Sequence, residues 1–396
     1  MVRRCAGALS ALMILFAMLT GTAQADSLSI GPVEDAPPIG LDCVSALLVE
    51  KDSGQIIFEK NADERRAVAS VTKIMSILLT IEAVEEGRIA LEDSVVVSAN
   101  AAGMGGSQVL LDAGETQTVD VLLKSMIVGS ANDATVAMAE HIAGSVQVFV
   151  DRMNARAREL NMGDTHFVNT TGLPADGHYT TARDVARMAM ELVKHDLYYR
   201  YSTVWLDEVV HESGRSTSLT NTNRLIRLYE GCDGVKTGST NEAGYCMAAT
   251  AKRGDMRLIA VVLGADTGKE RFNIASEMMD YGFANYRRYP VTERGARVRG
   301  QLKVTGGSSD ALALELANDL TLLIRRGEEE EVRLEANLPE YAVAPVEKGE
   351  LIGSVDVLLG DRVVGRAHVV AAESIGRRRF IDGLLRVLDL WCFHGR

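Results

Sequence analysis

The stretch Ala69-Ser70-Val71-Thr72-Lys73-Ile74-Met75-Ser76-Ile77-Leu78 marks where this 396-residue chain changes period. Before it, residues 44–50 and 55–59 are short β-like runs around Asp52-Ser53-Gly54, which reads as a hairpin. After Ser70, the apolar residues Ile74, Ile77, Leu78, Ile81 and Val84 recur at helical spacing until Gly87, a residue suited to end a helix. Further helical patterns cover residues 119–127, 132–144, 148–160 and 182–194. Strand-like runs return around Val235 and over 244–251 and 257–263, and a last helix covers about 270–283. A hairpin, a helical insert, then more strands and a helix predict an α+β domain, an antiparallel sheet covered by helices.

Ser70 and Lys73 are three residues apart at the start of the first helix, so their side chains share a face. A serine hydroxyl is a weak nucleophile until a base takes its proton, and a lysine serves if its pKa is lowered. The positive end of a helix disfavours an added cation and offers free backbone N–H groups to an oxyanion. An N-cap serine would look the same, and a Ser-x-x-Lys pattern arises by chance about once in a chain of this size. Two further motifs add weight. Ser130-Ala131-Asn132 follows Gly129 between two predicted helices, where Ser130 can relay a proton and Asn132 can bind a substrate amide and Lys73. The same tripeptide at Ser98-Ala99-Asn100 lacks a helix leading into it, which favours the later copy. Lys236-Thr237-Gly238 lies on a predicted strand. A strand edge pairs with an extended peptide, Lys236 and Thr237 suit a carboxylate, Gly238 permits close approach of a ligand, and the N–H of Ser239 suits an oxyanion.

These three motifs, in this order, resemble those of the low-molecular-weight penicillin-binding proteins, the serine D-Ala-D-Ala carboxypeptidases. The likeness extends to residues 161–167, Thr171-Gly172-Leu173, Asp233-Gly234-Val235 and Ala243-Gly244-Tyr245. It implies a β-lactamase/transpeptidase-like catalytic domain, a small β-domain, peptidoglycan stem peptide as substrate, β-lactam antibiotics as inhibitors and no cofactor. It also implies that Arg271 helps bind the terminal carboxylate; on its own, Arg271 reads as a solvated charge at a helix start. A β-lactamase of class A needs a glutamate-activated water. The nearest candidate is Glu159-Leu160-Asn161, and the helical register puts Ala157 where the glutamate belongs, so that alternative is weak. Transpeptidation and endopeptidase action use the same constellation and stay open, as does a silent wall-binding role that would not need Ser70, Lys73, Ser130 and Lys236 together.

The flanks set the compartment. Arg3 and Arg4, an apolar run from Ala6 to about Leu19 and Thr22-Ala23-Gln24-Ala25 read as a signal peptide over 1–25, predicting export to the outer face of the cytoplasmic membrane and the cell envelope. The catalytic domain is expected over 26–290. Residues 291–374 alternate in short apolar and polar runs and predict an all-β sandwich. Over 375–396, Arg377-Arg378-Arg379 precedes a stripe of Phe380, Ile381, Leu384, Leu385, Leu388, Trp391 and Cys392, an amphipathic helix suited to a membrane surface. The net charge of −12 argues against nucleic acid as a partner. The seven histidines show no metal-ligand spacing. Cys232 and Cys246 are placed where a hairpin would bring them near each other, with pairing left open.

Overall fold

A computed structural model describes residues 41–379; the expected signal peptide, the apolar stripe from Phe380 onward and Cys392 lie outside the described residues. The centre is a five-stranded antiparallel sheet in the order Ile56–Lys60, Cys43–Glu50, Met256–Ala265, Gly244–Arg253, Cys232–Thr240. Its middle strands are apolar almost throughout because both faces are covered. Leu47, Val49, Ala248, Ile259, Val261 and Leu263 join Ile74, Ile77, Leu78 and Ile81 of the Lys73–Glu85 helix in one core. Ala46, Leu48, Met247, Ala249, Ala260 and Val262 meet Ile274, Ala275, Met278 and Met279 of the Gly268–Asn285 helix in the other. Each buried Leu, Ile or Met contributes about 1.5–3 kcal/mol relative to exposure, so the sheet is fixed from both sides.

The helical insert agrees with the periodicity: Val119–Val128, Asn132–Ala143, Val146–Glu159 and Ala182–Leu192 are helices. Between the last of these and the Lys-Thr-Gly strand lie elements the sequence did not signal. These are two short helices, Asp196–Ser202 and Leu225–Leu228, and a hairpin of Leu206–Val210 with Ser216–Thr220. Only Val209 and Leu219 of that hairpin are buried, so its alternation was too faint to read.

The second module is β-rich, as expected. A four-stranded sheet (Leu314–Leu316, Arg362–Ala371, Leu351–Leu359, Val332–Asn337) shares a core with a three-stranded one (Ala311–Leu312, Leu302–Thr305, Tyr341–Val343) through Leu302, Leu312, Leu314, Val355 and Val369. The strand Tyr286–Thr292 runs through residue 290 and pairs with Leu320–Arg325. Residues at the other expected border, Ile375 and Arg377, bridge to Val346 and Gly307 as part of the β-module. The two modules meet where Leu323 packs with Phe283 and Tyr286, and where Arg288 faces Glu50, Asp52 and Asp255. Among the described residues no helix is long and apolar enough to cross a membrane.

Candidate active site

Ser70 lies in a 3-10 turn, Ala69–Thr72, that runs directly into the Lys73–Glu85 helix. It does not cap: the cap positions are Val68 and Thr72, neither with a side-chain cap bond. Instead Lys73 Nζ donates to Ser70 Oγ at 2.9 Å and to the carbonyl of Thr171 at 2.9 Å. Ala69 holds a left-handed φ of 48°, a costly conformation for a residue with a Cβ. Two glycines clamp this strained turn. A Cβ on Gly172 would stand 1.8 Å from the Ala69 carbonyl oxygen, and one on Gly238 would stand 2.7 Å from the Ser70 nitrogen. Gly238 was expected to admit a ligand; the close approach it makes here is to the turn that carries Ser70.

Lys73 is fully buried. Burial, then the charge of Lys236, pushes its pKa well below the usual lysine range, while Asp133 acts in the opposite sense. Lys236 is also buried, and its pKa falls to about 7, first from burial and then from the charge of Arg271. Its Nζ donates to the Thr237 carbonyl at 3.2 Å. Thr237 Oγ1 donates to Thr222 Oγ1 at 2.8 Å. Ser239 is exposed at the end of this outer strand. Arg271 reaches from the Gly268–Asn285 helix to donate from Nη1 to the Gly238 carbonyl at 3.0 Å, so it braces the strand. Burial lowers its pKa.

Ser130 occupies the turn between the Val119–Val128 and Asn132–Ala143 helices with a left-handed φ of 58°, and its buried Oγ has no protein partner. Asn132 Nδ2 donates to the Gly105 carbonyl at 2.6 Å, leaving Oδ1 without a partner. The expected bond from Asn132 to Lys73 is absent among the described contacts; the Thr171 carbonyl holds Lys73 instead. Asp133, fully buried, accepts from the backbone N–H groups of Val109, Leu111 and Ala134 and ties the preceding loop to this helix start. The earlier Ser-Ala-Asn copy does local work: Ser98 caps the Ala99–Ala102 helix and Asn100 bonds Glu140.

Several participants were not legible in sequence. Thr171 acts through a backbone carbonyl, and Thr222 is a neutral hydroxyl in a region without periodicity. His178 Nδ1 accepts from the Val168 N–H at 3.1 Å, so Nε2 carries the proton and donates to Thr72 Oγ1 at 2.8 Å. Burial, then His166, lowers its pKa to about 4, which keeps the ring neutral. Glu159 is exposed and paired with Arg156, and Ala157 is buried in the core. Cys43, Cys232 and Cys246 are free thiols; across the strand pair, Cys232 faces Ala251 and Cys246 faces Gly238.

A serine bonded to a buried lysine, with the Ser-x-Asn turn and the Lys-Thr-Gly strand on the same scaffold, defines the penicillin-recognising class of serine acyl-transfer enzymes. Comparison with known proteins narrows this. A family model described as D-alanyl-D-alanine carboxypeptidase matches residues 33–267, and one described as penicillin-binding protein 5, C-terminal domain, matches 286–377. The chain is 41% identical to the D-alanyl-D-alanine carboxypeptidase DacF of Bacillus subtilis over 348 residues, 88% of this chain and 89% of that one. It is 33% identical to DacC of Escherichia coli over 86% of each chain. Penicillin-binding protein 5 of Haemophilus influenzae superposes with a TM-score of 0.77 at 29% identity, covering 87% of this chain and 100% of that one. The chain belongs to the D-alanyl-D-alanine carboxypeptidase family, peptidase family S11.

Proposed function

We propose that Ser70 is the acyl-accepting nucleophile of a serine D-Ala-D-Ala carboxypeptidase that trims the terminal D-Ala from peptidoglycan pentapeptides. The observation that carries this is the 2.9 Å bond between Ser70 Oγ and the Nζ of a fully buried Lys73. Lys73, whose burial disfavours its charged form, takes the Ser70 proton as Oγ attacks the penultimate D-Ala carbonyl. The N–H groups of Ser70 and Ser239 receive the oxyanion. Ser130 passes a proton to the departing amine, Asn132 binds the acyl-side amide, and Lys236, Thr237 and Arg271 hold the terminal carboxylate while Gly238 keeps the strand against the turn. D-Ala leaves, and water hydrolyses the acyl-enzyme. A β-lactam acylates the same oxygen and leaves no amine to depart, so it is trapped.

Proteins of this family act on peptidoglycan in the cell envelope. The domain scheme proposed is a signal peptide over 1–25, a catalytic domain over 26–290, a β-domain over 291–374 and a membrane-surface helix over 375–396. Basic residues leading into an apolar stripe support the last of these.

The decisive experiment uses protein lacking residues 1–25 and the C-terminal helix. It releases D-Ala from a wall-peptide mimic and labels with a fluorescent penicillin, and Ser70→Ala abolishes both. Labelling that survives Ser70→Ala sinks the nucleophile assignment. Labelling without D-Ala release points to another acyl transfer.

A further inference from the structure

Residues 167–173 form a strap pinned at successive points. Asn154 takes both backbone groups of Phe167, donating to its carbonyl at 2.8 Å and accepting from its N–H at 2.9 Å. His178 accepts from the Val168 N–H and reaches across to Thr72. Ser76, on the Lys73–Glu85 helix, donates from Oγ to the Thr170 carbonyl at 2.7 Å. The strap then meets Lys73 through the Thr171 carbonyl. Inside it, one side chain sets the local path. Asn169 Oδ1 accepts from the N–H of Thr171 at 3.1 Å and from the N–H of Gly172 at 2.7 Å, and Nδ2 donates to the Leu173 carbonyl at 2.8 Å. The Gly172 N–H and the Thr171 carbonyl belong to the same peptide group. In a planar trans peptide these two point in opposite directions. A grip on the N–H therefore fixes where the carbonyl aims.

Given the reading of Ser70 and Lys73 above, on which this inference rests, we propose that Asn169 is a positioning residue for Lys73. By holding the Gly172 N–H, it aims the Thr171 carbonyl at Nζ. A carbonyl only accepts, so the contact must use an N–H of Lys73 whether the group is amine or ammonium. In the amine form, that contact turns the lone pair away from Thr171 and leaves it free to face Ser70 Oγ, 2.9 Å away. The proton then passes from Oγ to Nζ, and the fixed carbonyl steadies the ammonium that forms. Asn169 touches neither substrate nor Ser70 in this scheme; it acts through one peptide plane.

Stopped-flow acylation by a penicillin separates the acylation rate constant from the dissociation constant of the complex before it. It is measured across pH for wild type, N169A and N169D. N169A is expected to lose at least about tenfold in the rate constant, because the base is no longer aimed. Its dissociation constant should stay within about twofold, since the groups that bind the ligand are untouched. N169D keeps an oxygen for the N–H groups of Thr171 and Gly172 and should recover most of the rate. Its added anion favours the ammonium form of Lys73, so the acid limb of its rate profile moves to higher pH. Lys236 and Asp133, which act on Lys73, and His178 beside Thr72 are the same in both proteins, so the shift reports residue 169. N169A that acylates like wild type overturns the proposal. An N169D limb that superposes on the wild-type limb also overturns it, because Asn169 then only shapes the loop. Should N169A fail to fold, the N169D limb decides alone. Labelling that survives Ser70→Ala overturns the reading of Ser70 and Lys73 itself and takes this one with it.

Discussion

The proposed mechanism asks two lysines in one small site to do opposite things: Lys73 to be neutral and accept a proton, and Lys236 to be charged and hold a carboxylate. Burial helps the first and works against the second. Lys236, with its pKa lowered to about 7, loses its charge as the pH rises through that value in the free enzyme. KM for a D-Ala-terminated peptide is therefore expected to climb above pH 7, approaching tenfold per pH unit. Lys236→Arg, whose guanidinium keeps its proton, should flatten that limb. Steady-state kinetics from pH 6 to 10 checks this, and an identical alkaline limb in the variant would rule it out. His178 gives a separate signature in stability. Its folded pKa of about 4 lies below the ordinary 6.5, so the unfolded chain binds more protons between those values. Stability is complete above about pH 6.5 and falls as the pH drops toward 4, by on the order of 2–3 kcal/mol from this group. Urea unfolding across that window should show the loss, and His178→Gln should remove most of the slope.

At the level of elements, the Ser70 turn is held in a strained conformation by neighbours that have no side chain. Gly172→Ala puts a carbon against the Ala69 carbonyl and cannot be accommodated without moving the turn. We expect penicillin acylation to fall at least about 100-fold, with stability reduced by on the order of 3 kcal/mol. Stopped-flow acylation and thermal unfolding measure the two effects, and near-wild-type acylation would show that the turn is not clamped. These contacts also explain how much the sequence disclosed. Ser70, Lys73, Ser130, Asn132 and Lys236 carry their chemistry in side chains at readable spacing, and the long helices carry a 3.6-residue period. The Thr171 carbonyl has no signature in residue identity. Gly172 and Gly238 act by what they lack, and Asn132 turned to Gly105 because loop 105–111 folds over the helix start. Arg271 would have passed for a surface charge, because its partners are carbonyls on two strands, 33 and 25 residues away.

Across the whole molecule, Arg288 is one of the contacts that join the two modules. It faces Glu50, only 1% exposed and 3.7 Å away, as well as Asp52 and Asp255 on two hairpin turns of the catalytic sheet. Arg288→Ala leaves Glu50 buried without its cation. We expect a loss of about 1–3 kcal/mol, read as a lower urea midpoint, with D-Ala release from small peptides unchanged because the site is far along the sheet. An unchanged midpoint would mean that the joint is held by Leu323 and its apolar neighbours alone.

The strand order of the catalytic sheet has a consequence in time. Cys43–Glu50 lies beside Met256–Ala265, with Leu47 opposite Val261, so the earliest strand waits for a partner more than 200 residues later. No fragment that ends before that partner can close the sheet or complete either of its cores. Folds dominated by such distant pairings form slowly, because the chain entropy of the large loop must be overcome before any contact rewards it. For a chain whose opening residues read as an export leader, that delay is useful. The polypeptide stays threadable until the Met256–Ala265 strand is made, and Ser70, Lys73 and Lys236 come together only after the sheet closes.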